Sequence, residues 1–253
     1  MVQGIESFKK HFEGMEKQYT IIGGTACDLL MSEAGEDFRA TRDIDIVLII
    51  ESLSAEFGKK FWQYIIEADY EHRNKSTQDV QFYRFKNPKT KDYPSMIEIF
   101  SRKPDALILP EDAVITPLHI SDEVSSLSAI LLNEEYYEFI KNGIVQIEGI
   151  AILDAVHLIP SKVKAWSDLS EKKAKGTSVD SKDVKKHKND VYRLCTLLTP
   201  ETQMEVPANI YNEVQNFIEY IKTDDIDLRQ LGIRGMTKEN MIAILTSAYV
   251  RQI

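Results

Sequence analysis

The sequence predicts an α+β fold followed by a helical domain, and three observations predict it. Short apolar runs bounded by turn residues recur up to Phe100, which is the pattern of strands. Beyond Asp154 the apolar positions fall at helical spacing almost without interruption. The switch between the two patterns lies near residues 145–154, so we expect an N-terminal α+β domain over 1–150 and a helical domain over 151–253. A chain of 253 residues with 43% hydrophobic and 28% charged side chains has enough apolar surface to give each domain a core.

The elements follow in order. Apolar residues at 5, 8, 12 and 15 predict an amphipathic helix over 5–16. Tyr19–Ile22 is a short strand closed by the pair Gly23-Gly24, and residues 25–32 read as a helix packed through Ala26, Leu29 and Leu30. Asp43–Ile50 is nearly continuously apolar, as in a central strand. Residues 54–68 read as a helix with Ser52 or Ser54 at its N-cap. Three β-like segments follow at 70–73, 80–85 and 95–100. Residues 125–141 read as helix ended by Gly143, and 144–153 as a β-like piece. Helices are predicted at 155–171, 181–198, 207–223 and 238–250.

No apolar run approaches the length of a membrane span, and no early segment has a basic-then-apolar signal pattern. Cys27 and Cys195 are too few for a disulfide framework or a zinc site. Together these suggest a cytoplasmic protein. The net charge of −9 argues against nonspecific nucleic-acid binding by the chain as a whole. Residues 162–188 differ, with nine lysines against Asp168, Glu171, Asp180 and Asp183, a local +5 that leaves −14 elsewhere. Such a segment suits a polyanion, and a solvated loop between helices explains it equally well.

The chemistry is concentrated in Gly23-Gly24-Thr25 and Thr41-Arg42-Asp43-Ile44-Asp45. Side chains alternate along a strand, so Asp43 and Asp45 share one face while Ile44 and Ile46 share the other. Paired carboxylates repel unless a cation lies between them. Glycines admit close backbone approach, and a helix opening after them favours phosphate. In Met96-Ile97-Glu98-Ile99-Phe100, Glu98 projects alone from an apolar strand, a third acid for the same site or an edge residue in water. Three carboxylates suit two Mg²⁺ ions, with Mn²⁺ as an alternative. Thr25 is either a hydroxyl donor to phosphate or a plain N-cap.

Gly-Gly-Thr-Ala, then Thr-x-Asp-Ile-Asp, then a lone acid on a later strand, resembles the DNA polymerase beta-like nucleotidyltransferase superfamily. The spacing from Gly24 to Asp43 suits its AbiEii-type abortive-infection toxin branch. That branch has a lysine motif and a later acidic motif in a helical domain, resembled here by Ser161-Lys162-Val163-Lys164-Ala165-Trp166 and Lys186-His187-Lys188-Asn189-Asp190. His187 stands where the family pattern favours an acid, so Asp190 is the residue carried over. The resemblance implies a mixed sheet with flanking helices plus a C-terminal helical bundle. It also implies Mg²⁺-dependent transfer of a nucleoside monophosphate from an NTP to a hydroxyl of RNA (a tRNA 3′ end) or protein, and a cognate antitoxin as partner. Asp43, Asp45 and Glu98 would bind metal, Gly23, Gly24 and Thr25 would cradle phosphate, and Lys162 with Asp190 would complete the nucleotide site. An antibiotic-type small-molecule transferase and a nucleotide-binding regulator without turnover are the rival expectations.

Helical geometry singles out Lys162 independently. It shares a face with Ala165, Trp166 and Leu169, whereas Lys164 points away toward Asp168. A lysine on an apolar stripe snorkels or meets an anion. On the next helix Val184, His187, Val191 and Leu194 form a stripe beside Asp190, which is placed to pair with Lys162 or Arg193, either to position the lysine or as a structural ion pair.

Overall fold

The computed structural model describes residues 2–72, 82–105, 113–120 and 127–252. The chain divides into two compact units, Met1–Leu29 with Phe38–Leu153, and Leu30–Asp37 with Asp154–Ile253. No helix among the described residues is long and apolar enough to cross a membrane.

The first unit contains α1 (Ile5–His11), β1 (Tyr19–Ile22), the start of α2 (Gly23–Glu33), β2 (Asp43–Leu48), α3 (Ala55–Glu67), β3 (Arg84–Lys86), β4 (Met96–Ser101), β5 (Ile115–Leu118), β6 (Leu127–Leu131), α4 (Glu134–Asn142), β7 (Ile144–Ile147) and β8 (Ile150–Leu153). All eight strands form one mixed sheet in the order β5-β6-β4-β2-β1-β8-β7, with β3 added along β4. β2 runs parallel to β4 and antiparallel to β1, while β8 lies parallel to β1. β2 is therefore central, as its apolar run predicts, and Ile44, Ile46, Val47 and Leu48 are fully buried. Each such side chain contributes about 1.5–3 kcal/mol. Against the sheet Phe8, Phe12, Tyr19, Phe57, Phe61 and Tyr64 form an aromatic cluster with ring centroids 4.5–6.4 Å apart.

Several elements differ from the sequence reading. α1 ends at His11 rather than near 16, because the chain turns through Gly14 at a φ of +80°, although Phe12 and Met15 remain buried. α3 begins where expected, with the Ser54 hydroxyl accepting from the Phe57 N–H at 3.2 Å. The helix expected over 125–141 is a strand followed by a helix: β6, then α4 capped by Asn133. Leu127 and Ala129 are buried at strand spacing, and this two-residue period was hidden inside a longer helix-like run. Residues 125 and 126 of that reading lie outside the described residues. So do Arg73, Val80 and Gln81 of the expected strands at 70–73 and 80–85. Of those two strands the structure shows a bridge from Glu71 to Lys86 and β3 itself. The β-like piece at 144–153 is a hairpin, β7 antiparallel to β8, turned by Glu148 and Gly149 at φ of 50° and 79°.

The second unit holds α5 (Ala155–Ala174), α6 (Ser181–Cys195), β9 (Met204–Val206), α7 (Ala208–Thr223), a 3₁₀ turn (Leu228–Leu231), α8 (Lys238–Ala248) and β10 (Tyr249–Arg251). It is not helical throughout: β9 and β10 pair in parallel. Its core gathers Ile159, Val163, Val191, Leu194, Val214, Phe217, Met241 and Leu245. Pro160 stands inside α5 and has no N–H to offer the Val156 carbonyl one turn back. The Tyr249 hydroxyl donates to that carbonyl instead, at 2.8 Å. A helix-breaking residue is thus accommodated by a hydrogen bond from the final strand.

Candidate active site

Strand register assembles the site in the first unit. Ile22 of β1 lies opposite Asp45 of β2, Asp45 opposite Glu98 of β4, and Glu98 opposite Arg84 of β3. One row across four strands therefore carries two neighbouring acids and a cation, with Asp43 two residues along β2 on the same face. Asp43, Asp45 and Glu98 are half-buried while the intervening Ile44, Ile97 and Ile99 are fully buried. The acids line an accessible face whose reverse is core. Neighbouring strands lie about 4.8 Å apart, so Asp45 and Glu98 are adjacent carboxylates.

The glycine turn abuts this row. α2 starts at Gly23, directly after β1, and Gly23 has a φ of +72°. A Cβ there would collide with the Asp45 carboxylate, so position 23 requires glycine twice over, for conformation and for space. The N–H groups of Gly23, Gly24 and Thr25 are in the first turn, where helix geometry supplies no internal acceptor, and they suit an anion. Thr25 is fully buried and its hydroxyl donates to the Asp43 carbonyl at 2.7 Å. That hydrogen bond fastens α2 to β2, and Thr25 is not an N-cap, since the helix begins two residues earlier. Arg42 is exposed.

Glu98 forms an ion pair with Arg84 through Nε and Oε1, with side-chain exposures of 14% and 34%. Among the described residues, no three His, Cys, Asp or Glu side chains are gathered as a metal cluster. The backbone thus brings three carboxylates to one half-buried face, a donor set of the all-oxygen kind that Mg²⁺ takes, while the Glu98 side chain is turned to a cation of the protein itself. Asp43, Asp45 and Glu98 fit divalent-metal ligation on condition that Glu98 exchanges Arg84 for the ion.

Comparison with known proteins adds a coarse likeness. No family model matches the chain, and no curated protein matches it. Among solved structures it is similar to the crystal structure of the Megavirus polyadenylate synthase, at 11% identity and a TM-score of 0.41 over 87% of this chain. The chain spans about a third of that structure's length, the matched share being 36%. The site therefore stands on its own geometry.

Lys162 and Asp190, the remaining predicted site residues, belong to the second unit. The structure brings them together: Lys162 Nζ donates to Asp190 Oδ2 at 2.9 Å, with side-chain exposures of 4% and 0%. Arg193 adds its charge 3.9 Å from the other carboxylate oxygen. Lys164 reaches Asp168 at 2.7 Å, as its place on the helix predicts, and Glu213 at 3.3 Å.

At the opposite ends of β2 and β4 stands a second polar group that the sequence did not reveal. Arg102, just after β4, is 8% exposed and donates to Glu51, Asp105 and the Lys103 carbonyl. Glu51, just after β2, also accepts from the Tyr137 hydroxyl at 2.7 Å and lies 3.5 Å from Lys141. Burial works to raise the Glu51 carboxyl. The hydrogen bonds from Tyr137 and Arg102, with the Lys141 charge, outweigh it and hold the group down at about 2.

Two residues that reasoning from sequence left out stand at the first site, Arg84 and Arg39. The pairing of Arg84 with Glu98 needs strand register, which no local pattern encodes. Arg39 did carry a signal: it is a cation four residues before Asp43, in the segment that leads into β2.

Proposed function

We propose that the chain is a Mg²⁺-dependent nucleotidyltransferase that moves a nucleoside monophosphate from an NTP to a hydroxyl acceptor and releases pyrophosphate. The observation that supports it is the row Asp45–Glu98, with Asp43 beside it, set against a glycine turn that opens a helix on the neighbouring strand. In this reading Asp43, Asp45 and Glu98 would hold two Mg²⁺ ions, or Mn²⁺, which when bound neutralise phosphate charge and make the acceptor hydroxyl more acidic. The first-turn N–H groups from Gly23 to Thr25 bind and orient the triphosphate. The acceptor oxygen forms a bond to the α-phosphorus, the bond to the bridging oxygen breaks, and pyrophosphate leaves. Glu98, once released from Arg84, accepts the acceptor's proton. Lys162 and Asp190 receive a positioning role within the second unit, since the ammonium is committed to the carboxylate.

RNA is the acceptor this reading favours over protein. Lys172, Lys173, Lys175, Lys182, Lys185 and Lys186 are all exposed around the α5–α6 connection, in an otherwise acidic chain. If the toxin resemblance extends to role, a cognate antitoxin is its partner. One observation favours a second reading, nucleotide binding without turnover: Glu98 is paired with Arg84 rather than gathered with the two aspartates.

One assay separates them. Pyrophosphate release is measured with Mg²⁺, each of the four NTPs and a total RNA pool, for the wild type and Asp43→Ala/Asp45→Ala. Release that requires RNA and falls at least about 10³-fold in the double variant is expected. Mg²⁺-dependent NTP binding with no release in any mixture would favour the binding-only or a small-molecule-transferase reading. Absence of both would sink the site.

A further inference from the structure

Arg39 lies over the glycine turn. A Cβ on Gly24 would stand 3.1 Å from an Arg39 guanidinium nitrogen and 2.9 Å from Thr41 Oγ1, so both side chains close on the backbone where α2 opens. The guanidinium is also placed over the Phe38 ring, 5.0 Å from its centroid. Asp28, on α2, is 8% exposed; burial raises its carboxyl, and the charge of Arg39 works against that rise. Arg39 is thus located by an aromatic face, with a buried acid whose carboxyl its charge influences.

The charge of Asp28 does not by itself require the missing side chain at Gly24. The close approach to the backbone does: any Cβ would press on Arg39 and Thr41 together. The result is a cation close to Gly24 in the first helical turn, whose N–H groups carry partial positive charge, with the Asp45 carboxylate close to Gly23. A planar guanidinium meets phosphate oxygens two at a time, and beside a helix N-terminus it suits a group with several of them.

We propose that Arg39 binds the polyphosphate of the nucleotide over the Gly23–Gly24 turn and sets the preference of the site for triphosphates over monophosphates. The inference rests on the nucleotidyltransferase reading. Phe38 holds the guanidinium before the ligand arrives, which lowers the ordering cost of binding.

The test is equilibrium binding of the four NTPs and the matching NMPs in Mg²⁺ to the wild type, Arg39→Gln and Arg39→Lys, with thermal unfolding recorded for each. Arg39→Gln is expected to weaken NTP binding tenfold or more and NMP binding threefold or less, so that the NTP-to-NMP ratio collapses, with partial recovery in Arg39→Lys. A ratio equal to that of the wild type overturns the proposal, whether affinity is unchanged or falls equally for both ligands; the second result makes Arg39 a fold anchor only. A folded wild type that binds no nucleotide overturns the nucleotidyltransferase reading and this proposal with it.

Discussion

β2 and β4 carry acids at both ends, and the two ends treat them in opposite ways. At the far end, Glu51 and Asp105 meet Arg102, and Glu51 also takes the Tyr137 hydroxyl and the Lys141 charge. At the near end, Asp43, Asp45 and Glu98 share a face on which the structure supplies Arg84, paired with Glu98. The far end gathers one arginine, a tyrosine hydroxyl and a lysine around its acids, whereas the near end is where the proposed Mg²⁺ would bind, and the contrast can be attacked from either side.

The largest effect is expected at a third, fully compensated group. Lys162→Met strands Asp190 in the core of the second unit and is expected to cost about 3–5 kcal/mol in urea unfolding. Lys162→Met/Asp190→Leu should recover most of it. Normal stability in Lys162→Met together with a raised KM for NTP would break the contrast, because the buried pair would then be a phosphate site as well.

Arg102→Ala comes next. It removes the guanidinium that Glu51 and Asp105 share and is expected to lower stability by about 2–3 kcal/mol, since the 8%-exposed arginine also loses its packing. That corresponds to about 4–12 °C in Tm for a chain of this size. Pyrophosphate release per folded molecule should be unchanged. Nucleotide binding that tracks the loss would show that the two ends of the strands are not independent.

At the near end the sign reverses. Asp43→Asn is expected to leave the metal-free protein as stable as the wild type or up to about 1 kcal/mol more so, because it relieves repulsion between like charges. Mg²⁺ should raise the wild-type Tm and not that of the variant; at ten times its Kd the ion would add about 1.4 kcal/mol. Equal Tm shifts in both proteins would remove Asp43 from the metal site.

What could be read from the sequence follows from how local each signal is. Gly23, Asp43 and Asp45 were legible because a glycine at a strand end and acids at alternate strand positions are local patterns with few meanings. Glu98 was legible as an acid out of place in an apolar strand, although its neighbours were not. Asp45 beside it on β2 and Arg84 opposite it on β3 are matters of register between residues 53 and 14 positions away from it in sequence. The Glu51–Arg102 group escaped for the same reason, as its members come from the ends of two strands and from α4. β5 and β6 were missed, β6 because Leu127, Ala129 and Leu131 run directly into the helical period of α4. The Lys162–Asp190 pair was legible because Lys162 lies on an apolar helical stripe and Asp190 beside one; that the pair is wholly buried was not.

The smallest effect concerns pH and sharpens the contrast without touching the near end. The Glu51 carboxyl is held at about 2 in the folded chain, below the ordinary range near 4.5. The stabilisation it provides is therefore complete above pH 4.5 and disappears as pH falls through about 2. Its side chain is 38% exposed, so solvent screening limits the contribution to about 1 kcal/mol. Glu51→Gln should flatten the wild type's decline in urea stability between pH 5 and 2 by that amount. An undiminished decline in Glu51→Gln would mean that Tyr137, Arg102 and Lys141 do not hold the Glu51 carboxylate, and the far end would lose its place in the contrast as the compensated one.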